Sequence, residues 1–71
     1  LRRHPRRLYQ SAVDAVTKSA SGSERQLEAA VRRARVARVS WRDIAEGISA
    51  GSQLPASRAW THRRFRHLDE E

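Results

Sequence analysis

The sequence predicts one small all-α domain of four helices, on three observations. Apolar residues recur at three- and four-residue spacings in four successive stretches, as on one face of a helix. No stretch alternates apolar and polar residues with a period of two, so no strand is predicted. Clusters of Ser, Gly and Pro interrupt the pattern at 21–23 and 49–56. A chain of 71 residues forms one domain, 1–71, with a thin core, since it buries only about 60% of its unfolded surface.

The first two helices are predicted over residues 5–20 and about 24–38. Pro5 suits the first turn of the first helix. Ser23 and Gln26 have the spacing of a capping box, which starts the second helix after the "SGS" at 21–23. The apolar face of the first helix carries Leu8, Ala12, Val16 and Ala20, and that of the second carries Leu27, Ala30, Val31, Ala34 and Ala37.

The other two helices lie on either side of the loop "SAGSQLPA" at 49–56. Ser40 is a good N-cap, and Asp43 lies near the positive end of the third helix, which Gly47 weakens. The fourth helix begins near Pro55 or Ser57 and continues to about residue 68. The predicted core consists of Leu27, Val31, Trp41, Ile44, Ile48, Trp60 and Phe65.

The charge predicts a polyanionic partner. The formal net charge is +7, and 14 of the 15 cations are Arg. The last three residues are acids, so residues 1–68, with 15 cations against five acids, carry +10. A domain with this charge attracts phosphate at long range. A GC-rich genome, an acidic protein partner or a membrane surface would also account for an excess of Arg.

Several classes of function are excluded or disfavoured by composition. Without Cys, neither a disulfide nor a Cys-based zinc site can form. His4, His62 and His67 have no carboxylate at ligand spacing, so we expect no metal and no other cofactor. A thin core offers little concavity for catalysis, so we do not expect an enzyme. No apolar run reaches the roughly 18 residues of a membrane span, and no secretory signal follows the basic N-terminus. The start at Leu1 suggests a piece of a longer chain.

The predicted fourth helix has a basic face. Arg58, Ala59, His62, Arg63 and Arg66 lie together on one side, and no acid occurs from residue 47 to residue 68. One α-helix fits the major groove of B-DNA, where Arg can donate two hydrogen bonds to guanine. Ser57, at the helix start, could bind a phosphate. The alternative is a solvated basic face without a ligand.

Two segments carry a resemblance to a known family. "VSWRDIAEGI" at 39–48 and "SRAWTHRRF" at 57–65 resemble the helix-turn-helix domains of actinobacterial and phage regulators, which are similar to sigma-factor region four. The family pattern is roughly "GVSWAEIAxALGVSRQAAHxRF", and the match covers about 19 of the 71 residues. The resemblance implies that Trp41, Ile44 and Ala45 belong to a supporting helix and that Phe65 belongs to the core. It implies a recognition face of Ser57, Arg58, Ala59, His62 and Arg63.

The chain departs from the family pattern in three places. The loop at 49–56 is about six residues longer than the family's turn. Trp60 replaces a small Ala, and together these changes predict a helix-turn-helix with an extended turn and a wider gap between its helices. Arg38 replaces a Gly, and because a left-handed non-Gly residue costs about 1 kcal/mol, this junction is expected to be built differently.

Other cations are assigned supporting roles. Arg32 and Arg35, with Arg33 beside them, and Arg42 are candidates for contacts with the phosphate backbone. Residues 1–7, including Arg3, form either an arm that enters the minor groove or a disordered basic leader. Arg64 lies near the apolar arc, so we expect it to pair with Glu46 or Asp43.

Taken together, these observations predict sequence-specific binding of double-stranded DNA, in transcriptional regulation or in phage or plasmid control. The resemblance also allows two protein partners, a second copy of the chain and RNA polymerase, and implies a cytoplasmic location at the nucleoid. The alternative is a helical module that docks on an acidic protein through an apolar patch near Tyr9, Val13, Val36 and Leu54. RNA binding is a third hypothesis, which the small number of aromatic residues outside the predicted core disfavours.

Overall fold

The structure, a computed structural model, describes residues 5–52 and 55–68, with side chains from Arg7 onward, and these residues contain helices and no strand. This confirms the predicted all-α fold with four α-helices. They are α1 (Pro5–Ser19), α2 (Glu24–Val36), α3 (Trp41–Ser52) and α4 (Arg58–Phe65), and a 3-10 turn at Arg66–Leu68 follows α4.

Three of the helices begin at serine caps. The sequence predicts the caps Ser23 and Ser40, and it gives Ser57 as one of two possible starts of the fourth helix. The hydroxyl oxygens of Ser23, Ser40 and Ser57 each accept a hydrogen bond, of 3.0 to 3.1 Å, from the backbone N–H three residues later. The side chain of Gln26 also accepts a 3.1 Å bond from the N–H of Ser23, which completes the capping box. These bonds satisfy backbone donors that would otherwise lack a partner at the helix starts.

All four helices contribute to one apolar core. α1 packs against α2 and α3, and α4 packs against α3. Leu27 and Trp41 were predicted in the core and are half-buried against it. Leu8 was predicted on the apolar face of the first helix, but it is 64% exposed and lies one turn before Ala12, the first buried residue of α1. The buried apolar residues are Ala12, Val16, Ala30, Val31, Ala34, Val39, Ile44, Ala45, Ile48, Phe65 and Leu68.

The core prediction is wrong for Trp60. Its side chain is 43% exposed, and its ring meets that of Phe65 edge-on at a centroid separation of 6.2 Å. The neighbouring Thr61 is fully buried, and its hydroxyl donates a 2.8 Å hydrogen bond to the Ser57 carbonyl oxygen. The partly exposed indole therefore packs against the buried ring of Phe65. It is not a wedge that widens the gap between α3 and α4.

The predicted end of the third helix, near residue 49, is also wrong. α3 continues through Gly51 to Ser52 because α1 lies against its glycines. A Cβ atom on Gly51 would lie 2.0 Å from the carbonyl oxygen of Thr17 and 2.8 Å from the Cβ of Ala20. The absence of a side chain thus allows close contact between the helices. The connection between α3 and α4 is five residues, 53–57, and is shorter than the eight-residue loop predicted at 49–56.

Ser49 on α3 forms hydrogen bonds with this connection, at Ala56. Its hydroxyl accepts a 2.8 Å hydrogen bond from the N–H of Ala56 and donates one of 3.3 Å to the carbonyl oxygen of Ala56. One side chain thereby satisfies both backbone polar groups of Ala56. The start of α4 is held beside α3 as a result.

Arg38 adopts a left-handed conformation at the end of α2, so the expectation that this junction is built differently is wrong. Its φ is 66°. The N–H of Arg38 donates to the Arg35 carbonyl at 3.0 Å, and the N–H of Val39 donates to the Ala34 carbonyl at 2.9 Å. These two bonds form a Schellman motif, in which Gly is the usual residue at the position of Arg38. Val39 then enters the core.

Replacing Arg38 with Gly is expected to raise the free energy of unfolding by about 0.5 to 1 kcal/mol, because Gly adopts a positive φ without steric cost. Arg38→Ala is the matched control, since it removes the same charge and keeps the Cβ atom. Urea titrations followed by circular dichroism would measure both. If the Ala variant is stabilised as much as the Gly variant, the gain comes from the lost charge and the explanation from φ is wrong.

Candidate nucleic-acid interface

The basic side of α4 is exposed along its whole length. Arg58, Ala59, His62 and Arg63 of α4, together with Arg66 of the following 3-10 turn, are all exposed, and we call them the α4 face. Thr61 and Phe65 of α4 and Leu68 of the turn are buried. The burial of the apolar side explains the exposure of the other. This surface contains no acid, because residues 47–68 include none.

Trp41 connects the α4 face to the end of α2. The guanidinium carbon of Arg35 lies 4.6 Å from the centre of the Trp41 ring. His62 meets the same ring edge-on, with a centroid separation of 5.3 Å and an angle of 78°. Arg35 also donates a 2.7 Å hydrogen bond from Nη1 to the carbonyl oxygen of Val39. Residues of α2, α3 and α4 therefore meet at one half-buried indole, with the guanidinium of Arg35 over its face.

A groove of about 310 Å³ lies between the start of α3 and the α4 face. We call it the α3–α4 groove, and its lining residues are Trp41, Arg58, Ala59, His62 and Arg63. The groove brings three predicted site residues that can form hydrogen bonds, Arg58, His62 and Arg63, together with the apolar groups of Ala59 and Trp41. The sequence did not assign Trp41 to the site. Trp41 directly follows the Ser40 cap, and a side chain at a helix end is rarely covered on all sides. This position is the signal that could have identified Trp41 as a site residue.

Arg64 pairs with α2, so the prediction of a pair with Glu46 or Asp43 is wrong. Its guanidinium contacts the carboxylate of Glu24 and lies 3.9 Å from that of Glu28. Its charge is thus opposed by two acids, and its position ties α4 to α2. Arg64 is the one α4 arginine for which the described residues show an ion pair with an acid.

The two acids expected to bind Arg64 have other partners. Asp43 accepts a hydrogen bond from the hydroxyl of Tyr9 on α1, and the same hydroxyl accepts a 3.3 Å bond from the N–H of Ser40. Glu46 lies 3.6 Å from the guanidinium of Arg42, in an exposed pair one helical turn apart. Such an exposed pair contributes at most about 0.5 kcal/mol, so Arg42 can exchange this acid for a phosphate at little cost.

The remaining predicted contacts fall in different places. Arg32 is exposed, and it precedes Arg35 by three residues, which puts both on one flank of α2. Arg33 turns toward α1 and lines a separate groove with Lys18. Arg3 lies outside the described residues, as does most of the predicted arm. Residues 5–7 belong to the first turn of α1, and the basic arm over residues 1–7 stays a prediction.

The hydroxyl of Ser57 is occupied as a helix cap. It accepts the N–H of Trp60 at 3.0 Å. A hydroxyl that accepts one bond still has its own proton to donate. A contact from Ser57 to a phosphate is therefore compatible with its capping role.

Comparisons of the chain with protein-family models, curated proteins and solved structures find no match. Within the described ranges, no three His, Asp or Glu side chains form a group that could bind a metal ion. None of the helices described combines the length and apolar character needed to cross a bilayer.

Proposed function

We propose that this chain is a sequence-specific double-stranded DNA-binding domain that inserts α4 into the major groove. The observation that carries the proposal is the α4 face, in which three arginines and a histidine are exposed together around one small residue. Arg and His are donors for the acceptor-rich edge of guanine, and one helix fits the width of the major groove. Arg58, His62 and Arg63 would contact base edges.

In this proposal α3 is the supporting helix of a helix-turn-helix unit. Two contacts between α3 and the α4 region support it, the Ser49 bonds to Ala56 and the packing of Trp41 on His62. The ion pairs of Arg64 add a third contact, between α4 and α2. Each contact fixes a different part of α4 against the rest of the domain. A reading helix needs such support, because loss of orientation would cost specificity.

Phosphate contacts would flank the inserted helix. Arg42 lies beside Trp41 at the start of α3, and Arg32 and Arg35 lie on the flank of α2 that reaches the same indole. Arg66 would contact the backbone beyond the C-terminal end of α4. Such contacts fix the register of a protein on DNA without reading sequence.

Transcriptional regulation, or phage or plasmid control, is the role that fits such a domain, with a second copy of the chain or RNA polymerase as further partners.

Salt dependence tests the proposal. We expect the logarithm of the association constant for duplex DNA to fall with the logarithm of the salt concentration with a slope of about −3.6 to −4.5, as for four or five neutralised phosphates. Fluorescence anisotropy with a labelled duplex would measure the slope, and an uncharged dye-labelled polymer serves as control. A slope near zero would exclude binding driven by phosphates and remove the basis for the proposal.

A protein-interaction module remains the second candidate, on the exposure of Val36. This side chain is 80% exposed at the end of α2. The apolar patch predicted around it is smaller than expected, because Tyr9 and Val13 pack against the core, while Leu54 lies outside the described residues. Single exposed apolar side chains are common on protein surfaces, so this observation is weaker than the α4 face. RNA binding was disfavoured because few aromatic residues lie outside the predicted core. The exposed Trp60 weakens that argument, but the α4 face favours a duplex.

A further inference from the structure

The α3–α4 groove has apolar lining residues that attraction to phosphate does not explain. A surface that only neutralised phosphates would need cations and no recess. Here Ala59 and Trp41 line the groove together with Arg58, His62 and Arg63. The groove has a volume of about 310 Å³, which is enough for a group that protrudes from a larger ligand.

Ala59 places the recess in the middle of the α4 face. His62 and Arg63 follow it by three and four residues, so their side chains lie on either side of it one turn along the helix. A residue with a single methyl between such long neighbours leaves a depression with polar rims. This arrangement puts the recess where a base edge would lie if the neighbouring side chains bound adjacent bases.

The ring of Trp41 forms the other apolar wall and is held in place before any ligand arrives. Arg35 lies over its face at 4.6 Å, and His62 packs against it edge-on at 5.3 Å. Contacts on two sides restrict the rotamer of the indole. A wall that is already ordered binds a ligand without a further entropic cost.

We infer that the α3–α4 groove receives the 5-methyl group of a thymine in the major groove, next to a guanine bound by Arg58 or Arg63. The inference rests on the proposed function and adds a feature of the recognised sequence. Among the edges of the four base pairs in the major groove, the thymine methyl is the apolar group, and Ala is a side chain that contacts it. The bound site therefore contains thymine adjacent to guanine.

Substitution of deoxyuridine for thymidine tests the inference, because deoxyuridine lacks only this methyl group. The probe is the duplex bound best from a random pool, with each thymidine replaced in turn. One replacement is expected to weaken binding about fourfold, which corresponds to about 0.8 kcal/mol for one buried methyl-sized group. Ala59→Leu, a good helix former that fills the groove, is expected to bind the thymidine and deoxyuridine duplexes equally. Trp60→Phe, on the same helix outside the groove, keeps the preference.

Two outcomes would overturn the inference and leave DNA binding intact. Either no deoxyuridine replacement changes the affinity measurably, or Ala59→Leu keeps the full preference for thymidine, which would put the methyl contact elsewhere. Failure to enrich any duplex from the pool would instead contradict the proposed function, and the inference with it. Circular dichroism of the Ala59→Leu protein checks that the helices are retained.

Discussion

Replacing Gly51 with Ala is expected to lower the free energy of unfolding by about 2 to 3 kcal/mol. The new Cβ atom would lie 2.0 Å from the carbonyl oxygen of Thr17, which is backbone and cannot rotate away, and 2.8 Å from the Cβ of Ala20. The two helices would have to separate by about 1 Å or more to restore ordinary contact distances. Part of the α1–α3 interface would then lose its packing.

Gly47→Ala is the matched control on the same face of α3. Its Cβ atom would lie 3.1 Å from Oγ1 of Thr17 and 3.3 Å from Cγ1 of Val16, both of which are side-chain atoms that can adjust slightly. Each substitution also gains about 1 kcal/mol in helix propensity. We therefore expect Gly47→Ala to leave stability within about 1 kcal/mol of the parent. Chemical denaturation of the two variants side by side measures the difference, and equal stabilities would contradict a close backbone crossing at Gly51.

The helix starts could be predicted because each depends on a few neighbouring residues. Ser23 and Gln26 form a capping box through bonds within four residues of chain. The end of α3 could not be predicted in this way. Gly51 normally favours a break, but here α1 stabilises it inside the helix, and this contact joins residues more than 30 positions apart.

The candidate site could likewise be predicted only where it depends on the spacing of residues within one helix. The exposed side of α4 follows from the spacing of the buried Thr61, Phe65 and Leu68, so the members of the α4 face could be named from the sequence. The partner of Arg64 could not, because α2 and α4 are distant in sequence and their relative position depends on the whole core. The half-buried position of Trp41 could not be predicted either, because it also depends on how the helices pack together. Spacing predicts which face of a helix is apolar, but it does not predict which neighbours meet that face.

Replacing Arg58 or Arg63 with Ala is expected to weaken binding to the selected duplex by about 1 to 3 kcal/mol each and to reduce discrimination at one base pair. Both side chains are exposed, so the substitutions should not change the fold. An arginine that binds guanine through two hydrogen bonds loses both on truncation. Binding to random duplex should fall much less, because it depends on total charge.

Arg33→Ala separates base reading from charge. It removes one positive charge from α2, where the side chain turns toward α1 and away from the α3–α4 groove. If Arg58 and Arg63 read bases, their variants lower the ratio of cognate to random affinity, whereas the Arg33 variant leaves that ratio unchanged. If all three variants weaken both duplexes by the same factor, the α4 face acts only as a source of positive charge. Competition titrations with cognate and random duplexes at one salt concentration decide between these outcomes, because the electrostatic contribution is then common to every pair compared.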